Sequence, residues 1–324
     1  MRAIVYTGPQ QVEQVEDWPE PECGPDDVVV RMRAVGLCGS DLSVYDGHRD
    51  LPSLPWVIGH EGGGDVVAVG ERVPDRAVGD RVVIEPNLSC LDCPACETGV
   101  TSDCAKRAIL GMNAPGILAE RMAVPAAFTW VVPQDWPDAV LACFEPLAVA
   151  RAAVRRSGVR PGDRALVVGA GSQGLFVCLS LLALGAEPSV TEPHAGRLAL
   201  AQSLGAQPAD LAGATYPHVF ETAGPAPAFA TAMRSVASTG TVTLIGLSSE
   251  PVQQSTSDLV RRGLHLVGSI IYDPPPTSPG RATRSRRACG RSGPCTRASP
   301  RPTRRGLRGG PRRAGESWLD LTRW

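Results

Sequence analysis

A chain of 324 residues is long enough for about two domains, each able to bury its own core. Its formal net charge of −1 hides a split, because residues 1–273 hold 19 Lys and Arg against 31 Asp and Glu while residues 274–324 hold 13 Arg against 2 acids. The opening MRAIVYTGPQ has no basic n-region, apolar core or cleavage site, so it does not read as a secretory signal and a soluble, cytoplasmic protein is expected.

Residues 1–150 read as short strands separated by turn residues. DDVVVRMRAVGLCGSD, GGGDVVAVG and DRVVIEP are β-branched runs bounded by Gly, Pro or Asp, as in an irregular all-β domain. Within them, Cys38 stands at a strand end beside Ser40 and Asp41, and His60 and Glu61 stand together before Gly64 and Gly70. A lone Cys or His is more often packing than ligand. Together with a carboxylate, however, Cys38 and His60 supply the roughly three protein ligands of a catalytic zinc, leaving one position for water or substrate.

Residues 90–104, CLDCPACETGVTSDC, carry Cys90, Cys93, Cys96 and Cys104 at the spacing Cys-x2-Cys-x2-Cys-x7-Cys. A reducing cytosol disfavours structural disulfides among the ten cysteines of the chain, and clustered thiols there are more often metal ligands. Four thiolates close a tetrahedron around Zn2+ with no position left for substrate, so this lobe is expected to hold a structural zinc.

From about residue 151 the texture changes to alternating strands and helices. RALVVGA, PSVTE, HVFETAG, TVTLIGL and LHLVGSII read as strands; QGLFVCLSLLALGA, HAGRLALAQSLGA and PAFATAMRSVAS read as helices. That order implies a parallel sheet with crossover helices over residues 151–273. The uncharged run from Ala165 to Ala186 is long enough to span a bilayer, but the GAGSQG inside it fits a buried strand, turn and helix better.

That hexapeptide, Gly169-Ala170-Gly171-Ser172-Gln173-Gly174, is a complete G-x-G-x-x-G between a strand and a helix. The first glycine makes the tight turn, the second lets the backbone approach a pyrophosphate, and the third lets helix and strand pack closely. Glu192 follows Gly174 by 18 residues, where an acid accepts hydrogen bonds from a ribose hydroxyl. An acid there favours NAD; Arg197 keeps NADP possible.

On Cys38-Gly39-Ser40-Asp41, Gly59-His60-Glu61-x2-Gly64-x5-Gly70-x2-Val73, the four-cysteine lobe, Glu145-Pro146-Leu147-Ala148 and the dinucleotide fingerprint, the chain resembles the zinc-containing medium-chain dehydrogenases, which include alcohol, sorbitol and threonine dehydrogenases. The resemblance covers residues 1–273. It implies a GroES-like β domain over residues 1–150 and a Rossmann domain over 151–273, with two zincs per chain, NAD and an alcohol or polyol substrate. By the same resemblance Cys38, His60, Glu61 and Glu145 are ligands of the catalytic zinc, Glu145 standing where the plain alcohol dehydrogenases have a third cysteine. Ser40 is the hydroxyl that starts a proton relay, and Asp41 supports the zinc site. The relay histidine of some members falls at Ser43, with His48 as a substitute, and Cys143 is read as core. CGSDLSVYDG and TEP are also similar to bacterial aminocyclitol dehydrogenases such as 2-deoxy-scyllo-inosamine dehydrogenase. A homo-oligomer is expected, with neither membrane nor nucleic acid as a partner. The rival readings are an NADP-dependent simple alcohol dehydrogenase, a catalytically dead zinc-binding homologue, and a nucleic-acid binder using the arginine tail.

The tail is anomalous. Residues 274–313 contain twelve Arg, no acid and one large aliphatic residue, Leu307. Such a segment buries too little to offset the entropy of ordering. ESWLDLTRW, residues 316–324, again resembles a family ending. Arg, Pro, Gly, Ala, Ser and Thr between two in-family segments is what GC-rich coding DNA yields in a shifted frame, so a pair of compensating frameshifts is the hypothesis. The shifts lie either in the gene or in its sequencing, which resequencing of this DNA and an intact mass decide. An intact mass matching the printed sequence, with full activity and an ordered tail, would refute the hypothesis.

Overall fold

The structure, a computed structural model, describes residues 1–273 and, as backbone, residues 318–320. Residues 274–313, for which disorder or a frameshift is expected, lie outside the described residues.

In chain order the elements begin with β1 (Ala3–Gly8), β2 (Gln11–Val15), β3 (Asp27–Gly36), α1 (Gly39–Tyr45), β4 (Trp56–Val57), β5 (Glu61–Val69), β6 (Arg81–Ile84), β7 (Asn87–Leu88) and α2 (Pro94–Glu97). There follow β8 (Ala108–Ile109), β9 (Arg121–Pro125), β10 (Thr129–Val131), α3 (Asp138–Leu141) and α4 (Phe144–Ser157). The remainder is β11 (Arg164–Val168), α5 (Ser172–Leu184), β12 (Glu187–Thr191), α6 (Ala195–Ser203), β13 (Gln207–Pro208), β14 (Tyr216–Glu221), α7 (Ala226–Ser235), β15 (Val236–Leu244), α8 (Thr256–Arg262), β16 (His265–Gly268) and β17 (Trp318–Asp320). Two compact units result. One joins Met1–Glu145 to β17, and the other is Pro146–Tyr272.

The first unit is the GroES-like β domain. Its largest sheet runs β10-β6-β5-β3-β17, with β9 also pairing β3; β2-β1-β4 form a second sheet and β7-β8 a third. Strand β3 organises it. One edge pairs antiparallel with β5, while the other takes β9 along Asp27–Arg31 and β17 along Ala34–Gly36. Val28, Val30, Val35, Val66, Val82 and Ile84 from these strands are buried in one cluster with Ile117, Leu118 and Phe128. Their β-branched side chains suit a pleated, half-buried surface, which is why the run reads as strand in sequence. The strand is shorter than that reading implied. It stops at Gly36, and Gly39–Tyr45 is helical, so Ser40 and Asp41 ride on the first turn of α1. Gly62–Gly64 mark a close approach of strands, since a Cβ on Gly64 would collide with the Arg31 carbonyl.

The second unit is the Rossmann domain. Its six strands are all parallel, in the spatial order β13-β12-β11-β14-β15-β16. Counted from β11 this is the 3-2-1-4-5-6 order of a dinucleotide-binding sheet, whose direction of winding reverses between β11 and β14. The uncharged run Ala165–Ala186 resolves into β11, the glycine turn and α5, which Gly185 ends in a left-handed conformation at φ 85°. No helix of the described residues is long and apolar enough to cross a membrane.

Candidate active site

Two sets of metal-ligating side chains come together among the described residues, and both lie in the first unit. The first is Cys38, His60 and Glu61, whose ligand atoms lie within 4.8 Å of one another. Local backbone geometry places them. Cys38 is the N-cap of α1 at φ −83° and ψ 160°, and its carbonyl accepts from the N–H groups of Asp41 and Leu42. Asp41 answers by accepting from the Cys38 N–H at 2.9 Å, the reciprocal half of a capping box. The other Asp41 oxygen accepts from Gly59 N–H at 3.2 Å and stands 3.3 Å from His60 Nδ1, off the line of a hydrogen bond. Asp41, 1% exposed, thus holds the backbone at Cys38 and at Gly59 and stands beside the imidazole. With Nδ1 turned to Asp41, Nε2 faces the site and lies 3.4 Å from Ser40 Oγ. A carboxylate behind a ligating histidine orients the ring and raises its basicity.

Glu61 is paired with Gly36 across β3 and β5, and any Cβ at position 36 would come 2.6 Å from Glu61 Oε2. That glycine went unremarked in the sequence reading; only the pairing register exposes its purpose. Glu145, on the first turn of α4, is outside the compact set of three but is buried and feels the charges of Glu61, His60 and Asp41. Burial, then the Glu61 charge, pushes its carboxyl up to about 8. Burial pushes Glu61 up to about 7, opposed by His60 and reinforced by Asp41. Burial disfavours the His60 imidazolium, yet Asp41 and Cys38 outweigh it and hold its pKa well above 6.5.

Three carboxyl groups and a thiol around one imidazole, with no Lys or Arg ion-paired to them among the described residues, form a site short of positive charge. A divalent cation supplies that charge, and the sulfur, nitrogen and carboxylate donors suit zinc. Cys143, expected in the core, is half-buried. Its thiol donates to the Ala139 carbonyl at 3.5 Å and is raised by burial and by the Glu61 charge. Ser43 is on α1 and half-buried; His48 is exposed beyond it, its N–H donating to the Ser43 carbonyl.

The second set is Cys90, Cys93, Cys96 and Cys104, all unpaired and all within 4.8 Å of one another at sulfur. Cys93 and Cys96 are 3.5 Å apart, as are Cys104 and Cys90. Thiolates bound about 2.3 Å from a zinc stand about 3.8 Å apart on a tetrahedron, so little movement closes the cage. The lobe is also tied to the end of the described chain by Ser102 N–H donating to Asp273 Oδ1 at 2.9 Å.

The third constellation lies in the second unit. Gly169 has φ 100°, and a Cβ on Gly174 would collide with the Gly169 carbonyl, as the fingerprint requires. At Gly171 a Cβ would meet no protein atom within 4 Å, so the helix start is open to a phosphate. Glu192 accepts from Ala170 N–H at 2.8 Å and from His194 N–H at 2.9 Å. It braces the glycine turn, and its remaining lone pairs are those a ribose would use. Ser172 and Gln173 open α5, with Gln173 Nε2 donating to the Pro146 carbonyl at 3.3 Å. Arg197 is exposed on the first turn of α6.

Residues 24–134 match the alcohol dehydrogenase GroES-like domain, and residues 174–283 match the zinc-binding dehydrogenase domain. The chain is 32% identical to sorbitol dehydrogenase of Bombyx mori over 290 residues, 83% of either protein. The chain belongs to the zinc-type medium-chain dehydrogenases. It is also 31% identical to L-galactonate-5-dehydrogenase of Escherichia coli K12 over 77% of each chain. Among solved structures, this dehydrogenase is similar to galactitol-1-phosphate dehydrogenase from E. coli, with TM-score 0.79, 27% identity and 88% of both chains covered. An alcohol dehydrogenase (rspB) from E. coli CFT073 complexed with NADH gives TM-score 0.78 at 28% identity, over 85% of this chain and 84% of that one. The dehydrogenase is therefore an oxidoreductase that uses zinc and a nicotinamide dinucleotide.

Because burial raises the Glu61 and Glu145 carboxyls and the His60 pKa is also raised, a zinc ion bound by this set would displace protons. Zinc affinity there is expected to rise with pH between about 6 and 9 and to fall on acidification, with proton release measurable by calorimetry in buffers of different ionisation enthalpy. Affinity independent of pH across that window would contradict the buried-carboxylate account.

Proposed function

We propose that the dehydrogenase oxidises a secondary alcohol of a polyol, cyclitol or sugar-like substrate with NAD, using Cys38, His60, Glu61 and Glu145 as the catalytic zinc set and the four-cysteine lobe for a second, structural zinc. The observation that carries this is the buried cluster of carboxyl groups around Cys38 and His60. Its Glu145 stands where plain alcohol dehydrogenases carry another cysteine, and the sorbitol and galactonate relatives act on polyhydroxylated molecules by name. When bound, zinc lowers the pKa of the substrate hydroxyl, and the nicotinamide accepts a hydride.

The chain's own residues do the rest. The carbinol carbon gives up its hydrogen with both electrons, the hydroxyl gives up its proton, and a ketone is left. Ser40 Oγ, 3.4 Å from His60 Nε2, stands beside the metal ligands to receive that proton and pass it outward. Asp41 keeps Cys38 and His60 aimed at the same point. In the second unit, Glu192 takes the ribose hydroxyls and disfavours a 2′-phosphate by charge repulsion, while Arg197 is the residue that would tolerate one. Eight unpaired cysteines among the described residues support a reducing, cytoplasmic setting. The exposed edge strand β16, with Leu266 41% exposed, supports a homo-oligomer, which light scattering tests.

A panel of polyols, cyclitols, sugar acids and primary alcohols, followed by reduction of NAD or NADP, is expected to give turnover on secondary alcohols with NAD preferred. Glu192→Ala should weaken NAD and narrow the gap to NADP; a native preference for NADP would refute the role of Glu192. The two zincs separate by mutation. Cys38→Ser should abolish turnover and leave most of the fold, whereas Cys96→Ser should chiefly destabilise residues 90–104, seen as rapid proteolysis of that lobe. Equal unfolding from both changes would contradict the division.

A further inference from the structure

Glu221 is a buried carboxylate that neither zinc set nor the glycine fingerprint uses. It is the last residue of β14, 2% exposed, and it forms no ion pair among the described residues. Polar groups this deep are retained where hydrogen bonds hold them. Glu221 Oε1 accepts from Ala223 N–H and Gly224 N–H, both at 2.8 Å, and so folds the chain tightly at the carboxyl end of its strand. Its carbonyl accepts from Ile245 N–H at 2.9 Å and Gly246 N–H at 3.1 Å, in the loop that follows β15. The two loops touch, because a Cβ on Gly224 would come 2.5 Å from the Leu247 carbonyl and one on Gly246 would come 2.7 Å from Glu221 Oε2. The next residue, Thr222, links the same assembly to the glycine turn, its Oγ1 donating to the carbonyls of Val168 at 2.9 Å and Gly169 at 3.2 Å.

Three loops thus meet at the carboxyl ends of β11, β14 and β15: the Glu221 side chain folds 222–224, its backbone carbonyl holds 245–246, and Thr222 holds the glycine turn. In a doubly wound sheet each half binds one mononucleotide, and the ligand lies outside those carboxyl ends, across the switch point. The half from β11 to β13 carries Glu192 and takes the adenosine side. The half from β14 to β16 is left for the nicotinamide mononucleotide side. We infer that Glu221 is a positioning residue for the nicotinamide half of the cofactor, acting through the 222–224 and 245–247 loops rather than by touching the ligand. This rests on the NAD reading given above.

The test uses the full zinc-loaded chain and measures binding of NADH and of AMP, which occupies only the adenosine half, in the native protein and two variants. Glu221→Asp keeps the charge but withdraws the carboxylate from Ala223 and Gly224. It is expected to weaken NADH on the order of tenfold and leave AMP unchanged. Glu221→Gln keeps an accepting oxygen at the same reach and is expected to bind NADH as the native protein does. Equal loss of NADH and AMP in Glu221→Asp marks general loosening of the fold and overturns the inference, as does unchanged NADH binding. Loss in Glu221→Gln equal to that in Glu221→Asp overturns it too, since charge and not hydrogen-bond acceptance would then be the cause. Native protein that binds AMP but not NADH would strike the NAD reading itself, and this inference with it.

Discussion

The catalytic half of the molecule depends on one buried carboxylate, Asp41. It receives the N–H of Cys38, receives the N–H of Gly59 and stands against His60 Nδ1. Those contacts join segments about twenty residues apart in sequence, which the pairing of Gly36 with Glu61 brings side by side. The arrangement is costly in isolation. Burial, and after it the neighbouring acidic charges, raises the carboxyls of Glu61 and Glu145, which expresses that cost. A metal ion converts the same crowding into attraction. The site is thus folded against its own electrostatics in a way that selects for an occupied state.

The motifs that were legible in sequence share a property: each is read from a few consecutive residues whose backbone does the chemistry. The glycine turn at 169–174, the cap at Cys38–Asp41 and the cysteine lobe are local, so spacing alone carries their geometry. The unread features are long-range. Gly36 matters because register puts it opposite Glu61, which no window of sequence reveals. Glu221 likewise matters through the loops at 222–224 and 245–247, which lie far apart in sequence. The strand run through CGSD was over-extended for a related reason. β-Branched residues announce a strand, but the end of β3 is set by the Asp41 cap that starts α1.

The two units solve different problems with similar means. In the first, a side-chain carboxylate organises backbone so that side chains can ligate. In the second, Glu192 and Glu221 organise backbone, each accepting from N–H groups at the carboxyl end of a strand, beside close glycine approaches. In both, an acid whose own charge appears available for chemistry is spent largely on holding loops. Functional acids and scaffolding acids therefore look alike in sequence, and hydrogen-bond partners tell them apart.

The strand at 318–320 pairs with Ala34–Gly36, ending two residues short of Cys38. The unit that holds the metal ligands is consequently discontinuous: its first part precedes the Rossmann domain in the chain and its last strand follows it. During synthesis the amino-terminal part emerges first and domains tend to fold as they appear. The Rossmann domain, by contrast, is one uninterrupted stretch and can fold as soon as it has left the ribosome. The edge of β3 at Ala34–Gly36 stays open until β17 has been made. The nascent chain therefore passes through an interval in which its Rossmann domain is finished while its other unit still presents an open strand edge.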